Sequence, residues 1–106
     1  MQGRAQITAR VTVCQRADGS FEILVNEAGR DLLVKELQGL DKRWDHFHLD
    51  HFDDPELAFA TDVPLAPIPY NEGDKVFQTG KVLLRPDDWD AEYFPHVLAS
   101  ATPPTE

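Results

Sequence analysis

A chain of 106 residues is the usual size of one domain, long enough to bury a single hydrophobic core and too short for two. With 42% hydrophobic and 27% charged residues it is neither a disordered polymer nor a membrane protein, and no apolar run approaches the ~20 residues of a membrane span. The net charge of −9 is the wrong sign for a phosphate backbone, so nucleic acid is not expected as a partner, and without a long apolar run neither is a membrane.

Residues 6–15 alternate, with Ile7, Ala9, Val11 and Val13 on one face and Gln6, Thr8, Arg10 and Thr12 on the other, which is the period of a half-buried strand. Cys14 falls on the polar phase near the end of that strand. After the Ala17-Asp18-Gly19-Ser20 turn, Phe21, Ile23 and Val25 alternate again, so the two runs are expected to form an antiparallel hairpin. Asn26 is a good N-cap, and Ala28, Leu32, Leu33, Leu37 and Leu40 follow at near-helical spacing. This predicts a helix over Glu27–Gln38 that stops at Gly39, with Lys35, Lys42 and Arg43 towards its C-terminal end.

Trp44 to Phe52 alternates once more, with Phe47 and Leu49 on the side expected to be buried against the helix and His46, His48 and Asp50 on the other. Prolines 55, 64, 67 and 69 predict an irregular or edge segment over 55–74. Strand character returns from Val76 to Arg85, where Gly80 reads as a turn or bulge. Pro86-Asp87-Asp88 opens a short helical turn carrying Trp89 and Tyr93, which Pro95 limits, and Ala99–Glu106 reads as a frayed tail. The expected fold is α+β in a single domain over 1–106. A β-hairpin, one main helix and two to four further strands make a mostly antiparallel sheet, with the helix packed on one face. The Trp89–His96 segment is expected to cover the other face.

The acidity is unevenly spread. Residues 1–43 carry seven Lys/Arg and six Asp/Glu, a balance of +1, whereas residues 44–106 carry three and thirteen, a balance of −10. Between Trp44 and Asp74 stand eight acids and no Lys or Arg. Such a field attracts and steers a basic protein partner, although solubility alone also favours an acidic surface. Asp45, Asp50, Asp53, Asp54 and Glu56, with Trp89 as an aromatic anchor, are the expected partner-binding residues. The other aromatic side chains of this half, Trp44, Phe47, Phe52, Phe59, Tyr70, Tyr93 and Phe94, are expected to be mostly core, with a minority at the surface.

The alternative chemistry is a metal site. A period of two sets His46, His48 and Asp50 side by side, a donor set able to hold a divalent ion, and His96 could supply a fourth ligand. The spacing is short and no second ligand motif follows, so neither a metal nor a cofactor is expected. Catalysis has less to stand on. Cys14 lies in a strand rather than at a helix N-terminus, Ser20 and Ser100 lie in a turn and a tail, and there is no phosphate-binding loop or dinucleotide fingerprint. The adjacent acids Asp53-Asp54 and Asp87-Asp88 read as solvated or capping groups, so the chain is not expected to be an enzyme. The first residues show no apolar h-region or small-residue cleavage site, and one cysteine permits no internal disulfide, so the cytoplasm is the expected compartment.

Three stretches carry a family resemblance: Val25-Asn26-Glu27-Ala28-Gly29-Arg30-Asp31-Leu32-Leu33, Asp45-His46-Phe47-His48-Leu49, and Val82-Leu83-Leu84-Arg85-Pro86-Asp87-Asp88-Trp89-Asp90 with Tyr93-Phe94-Pro95-His96. Over roughly Phe21 to Leu98 the chain resembles small immunity proteins of bacterial polymorphic toxin systems, of the immunity protein 32-like kind. The resemblance implies a non-enzymatic cytoplasmic antitoxin that binds a cognate toxin domain. It supplies no binding residues, and a homodimer stays open beside it.

Overall fold

Asn26 organises the first part of the chain. Its side-chain oxygen accepts the Gly29 amide at 2.7 Å and the Arg10 amide at 2.9 Å, while its side-chain nitrogen donates to the Thr8 carbonyl at 2.9 Å. One residue therefore caps the helix that follows and ties down the strand two connections earlier. The computed structural model describes residues 8–101 and has an α+β fold, in the order β1 (Val11–Gln15), β2 (Phe21–Val25), α1 (Glu27–Gln38), β3 (His46–Asp50), a 3-10 helix (Pro55–Ala60), β4 (Val63–Pro64), β5 (Lys75–Val76), β6 (Thr79–Leu83), α2 (Asp87–Tyr93) and α3 (Pro95–Ala101).

The hairpin forms as the alternation requires, with Val13 opposite Ile23 and Val11 opposite Val25. Its turn is fixed by Asp18, which accepts both the amide and the hydroxyl of Ser20, and by Gly19 at φ 92°, a conformation side chains rarely adopt. The expected strand start is too early, because β1 begins at Val11; Gln6 and Ile7 lie outside the described residues.

The expected single sheet is instead two three-stranded sheets, in the orders β2-β1-β5 and β4-β3-β6. The first is antiparallel throughout; in the second, β6 runs antiparallel to β3 and β4 parallel to it. A bridge between Val11 and Leu65 stitches the two together. The prolines explain the split. The segment they punctuate yields only a two-residue edge strand, with Pro64 at its end, and then turns away before β5. Gly80 makes neither a turn nor a bulge: it pairs with Leu49 inside β6. Ala99–Ala101 extend α3 rather than fray, and 102–106 lie outside the described residues.

The core lies between the sheets. Val11, Phe47 and Val63 are fully buried, with Leu49 and Leu65 nearly so, and Val13, Leu32, Leu33, Leu40 and Val82 pack against them. Phe47 and Leu49 are thus buried in a cluster that α1 covers with Leu32 and Leu33, whereas Leu37, on the expected apolar stripe, is 51% exposed. Gly29 is required by contact rather than by φ, because a Cβ there would collide with the Arg10 carbonyl oxygen, where α1 crosses the hairpin.

The hairpin's two faces depart from the simple pattern. Thr12 and Cys14, on the nominally polar phase, are fully buried, while Phe21 and Ile23 stand 68% and 55% exposed. β1 is the central strand of its sheet and is covered on both sides, whereas β2 is an edge. The expectation that most large aromatic side chains are core also fails. Phe47 is fully buried, but Trp44, Tyr70, Tyr93 and Phe94 are exposed and Phe52 is half-buried. The Phe59 side chain falls outside the described residues.

Candidate functional site

The acids of the second half divide by what they hold. Asp50, at the end of β3, accepts the Thr79 hydroxyl at 2.6 Å and the Thr61 hydroxyl at 3.1 Å, bracing the strand to β6 and to the loop before β4. Asp62 accepts the His48 amide at 2.8 Å. Asp45 sits 2.8 Å from His46 Nδ1, and that hydrogen bond holds its carboxyl below the ordinary value. These carboxylates are committed to the architecture.

Asp53, Asp54 and Glu56 keep their side chains at the surface. Asp53 and Asp54 lie on the loop that leads into the 3-10 helix and Glu56 in its first turn, and Asp54 caps that helix by accepting the Glu56 amide at 2.9 Å. Asp53, with its side chain fully in solvent, meets His51 Nε2 at 3.1 Å. Among the described residues, the Lys and Arg ion pairs lie elsewhere, at Arg16–Glu22, Arg16–Asp74, Arg30–Asp31, Lys42–Asp88 and Arg85–Asp90. The surface from Asp53 to Glu56 therefore keeps its negative charge uncompensated by Lys or Arg.

Trp89 belongs to a different grouping. The Arg85 guanidinium donates through Nε and Nη2 to Asp90 Oδ1, at 3.0 and 2.7 Å, and lies 4.9 Å from the Phe94 ring centre and 6.0 Å from that of Trp89. Leu83, Arg85, Asp90, Phe94 and Val97 line a shallow cavity of about 370 Å³ there. The α2–α3 segment thus engages the end of β6 instead of closing over the histidine face.

That face stays open. The His46 and His48 side chains are 43% and 48% exposed, and their rings meet edge-on at 5.0 Å between centres. Each faces its own carboxylate, Asp45 for His46 and Asp62 for His48, while Asp50 is taken up by the two threonines. His96, on α3, stacks edge-on with Phe94. Among the described residues, His46, His48, Asp50 and His96 supply no set of three ligand atoms within 4.8 Å of one another.

The donors that do converge are Cys14, Glu22 and Asp74, a set the sequence reading missed because it joins a strand to a loop 60 residues away. Arg16 already bridges both carboxylates, at 3.2 Å to Glu22 and 3.1 Å to Asp74. The thiol donates to Asp74 at 3.7 Å, and Asn71 donates to the same oxygen at 3.1 Å. Burial first, and the Asp74 charge second, push the Cys14 thiol up, so it is protonated at neutral pH and a poor nucleophile.

This shift gives stability a sign. A thiol raised in the folded state makes its full contribution below its ordinary value of 9.0, and that contribution is lost as pH rises towards the folded pKa, because the unfolded chain ionises first. Urea denaturation at about pH 8 and about pH 10, on either side of the ordinary cysteine range, should show a larger alkaline loss for the native chain than for Cys14→Ser. Equal losses would remove the thiol as the cause.

No protein-family model matches the chain, and comparison with curated proteins and with solved structures finds no match.

Proposed function

We propose that this chain is a non-enzymatic binding protein, an immunity protein of the bacterial cytoplasm that neutralises a cognate toxin by presenting its acidic surface to a basic partner. The observation that carries the reading is the exposed run of Asp53, Asp54 and Glu56, whose charge no Lys or Arg ion pair offsets among the described residues. Aromatic side chains left at the surface, Trp44 at 61% and Tyr93 at 66% exposure, add support, since aromatics provide affinity where charges provide specificity and rate. No helix of the described residues is long and apolar enough to cross a membrane.

The test is co-expression and co-purification with the protein encoded next door, followed by association kinetics at two salt concentrations. Exposed charges act over a Debye length of ~8 Å at physiological salt, so association should slow as salt rises. Changing Asp53, Asp54 and Glu56 together to their amides should lower the association rate by about tenfold and flatten its salt dependence, with dissociation little changed. An association rate indifferent to both salt and the triple change would refute the acidic-surface mechanism. Absence of any complex with a neighbouring gene product would refute the immunity reading.

A further inference from the structure

The free edge of β2 offers a second surface, independent of the acidic one. Hydrogen-bond parity fixes which of its groups are unused. β1 meets β2 through its even-numbered residues: Asn26 donates to the Arg10 carbonyl and Arg16 to the Ser20 carbonyl. Its odd-numbered carbonyls face the other way, with Val11 accepting from Ala66 and Val13 from Phe77. In β2, therefore, Phe21, Ile23 and Val25 turn their amide and carbonyl groups outwards, where the sheet order places no neighbour among the described residues. The same three residues carry apolar side chains on one face, 68%, 55% and 38% exposed. Natural sheets avoid an apolar edge of this kind, with no lysine, proline or bulge to protect it, unless it is paired.

Two features of the edge point to a second copy of the chain. First, the strand is self-complementary. With a two-fold axis at Ile23, Ile23 pairs with the second copy's Ile23 and Phe21 with its Val25, so that only outward-facing groups are used. The apolar row then runs unbroken across the joint, and Glu22 faces a leucine rather than its own equivalent. Second, the charge permits it. Residues 10–25 hold Arg10, Arg16, Asp18 and Glu22, a balance of zero, whereas residues 44–106 carry −10. Two copies of an acidic chain can approach only where like charge does not oppose them, and the hairpin is such a place.

We propose that two copies pair antiparallel through β2, joining their hairpin sheets into one six-stranded sheet in the order β5-β1-β2-β2-β1-β5. The edge is short beside a standard interface of ~1,600 Å², so the dimer is concentration-dependent.

Sedimentation equilibrium from low to high micromolar protein should show the mass rise from 12.0 kDa towards its double. Ile23→Lys, a change at a 55% exposed position, should weaken the dimer at least tenfold while leaving the far-ultraviolet spectrum and the melting curve unchanged. Register is tested without relying on that variant. Under oxidising conditions Ile23→Cys should form a crosslinked dimer, because hydrogen-bonded partners lie ~5.5 Å apart, within disulfide reach. Phe21→Cys should not, since four residues of offset separate it from its equivalent by roughly 13 Å. The buried Cys14 serves as the silent background. The triple amide variant of the acidic loop should dimerise like the native chain, which separates this surface from the toxin-binding one. A monomer at every concentration, a dimer that Ile23→Lys leaves intact, or equal crosslinking by both cysteine variants would overturn the proposal.

Discussion

Phe47→Ala should cost about 3–5 kcal/mol of unfolding free energy, a large share of the ~5–15 kcal/mol that holds a domain of this size together. Among the described residues Phe47 is the largest fully buried side chain, and it clusters with Val11, Leu49, Val63 and Leu65. The cost combines lost burial with a cavity, and the cavity cannot collapse easily. β3 is held from both sides, by β4 through Leu49 and Asp50 and by β6 through five paired residues, so its backbone has little freedom to move inward. Leu49→Ala, at 8% exposure and opposite Gly80, should cost about 2–5 kcal/mol. Equilibrium urea denaturation measures both, with an unchanged m-value marking an intact folded state. A loss below about 1 kcal/mol for Phe47→Ala would mean that the interior is not packed around this ring.

How much of this was legible in the sequence depends on whether the signal was local. Helix α1 was read with its correct ends, because Asn26 as cap, the recurring leucines and Gly39 as stop all lie within its own residues. The inward side of β3 was equally readable, since the period of two in Phe47 and Leu49 matched a strand with one buried face. The hairpin's exposed and buried sides were not. Alternation says which residues share a face, but the face that meets other chain segments is decided by the later loop carrying Ala66 and Asp74, which seals Thr12 and Cys14. The division into two sheets is likewise a long-range outcome, set by a two-residue strand containing a proline that no propensity would nominate.

The site shows the same limit. Charge counts located the acidic half, yet they could not separate Asp50 and Asp62, spent on holding hydroxyls and an amide, from Asp53, Asp54 and Glu56, which remain at the surface. The His46-His48-Asp50 alternation put three donors on one face as expected. What it could not foretell was that each would find a separate partner, so that side-by-side placement did not become convergence. The Cys14–Glu22–Asp74 grouping left no sequence signal, apart from the hairpin register that sets Glu22 opposite Cys14.

The second large effect is expected at Arg85. Asp90 is 6% exposed, and its Oδ1 receives both the Nε and Nη2 donations of Arg85, so the guanidinium is its charge partner. Removing the cation leaves a carboxylate out of water with nothing opposite, which for buried pairs costs ~3–5 kcal/mol. Arg85 is 38% exposed, so water screens part of that loss and about 2–4 kcal/mol is the expected cost of Arg85→Met. Methionine keeps the aliphatic stem against Phe94 and Trp89 and isolates the charge from the packing. Since α2 and α3 meet the end of β6 around this residue, the variant should also loosen them. Trp89 is half-buried, so its emission should shift to the red before global unfolding, while Trp44, already 61% exposed, adds a constant background. Adding Asp90→Asn removes the stranded charge, and the double variant should therefore be more stable than Arg85→Met alone. A double variant no better than the single one would show that packing of the guanidinium on the two rings, and not neutralisation of Asp90, holds the C-terminal helices in place.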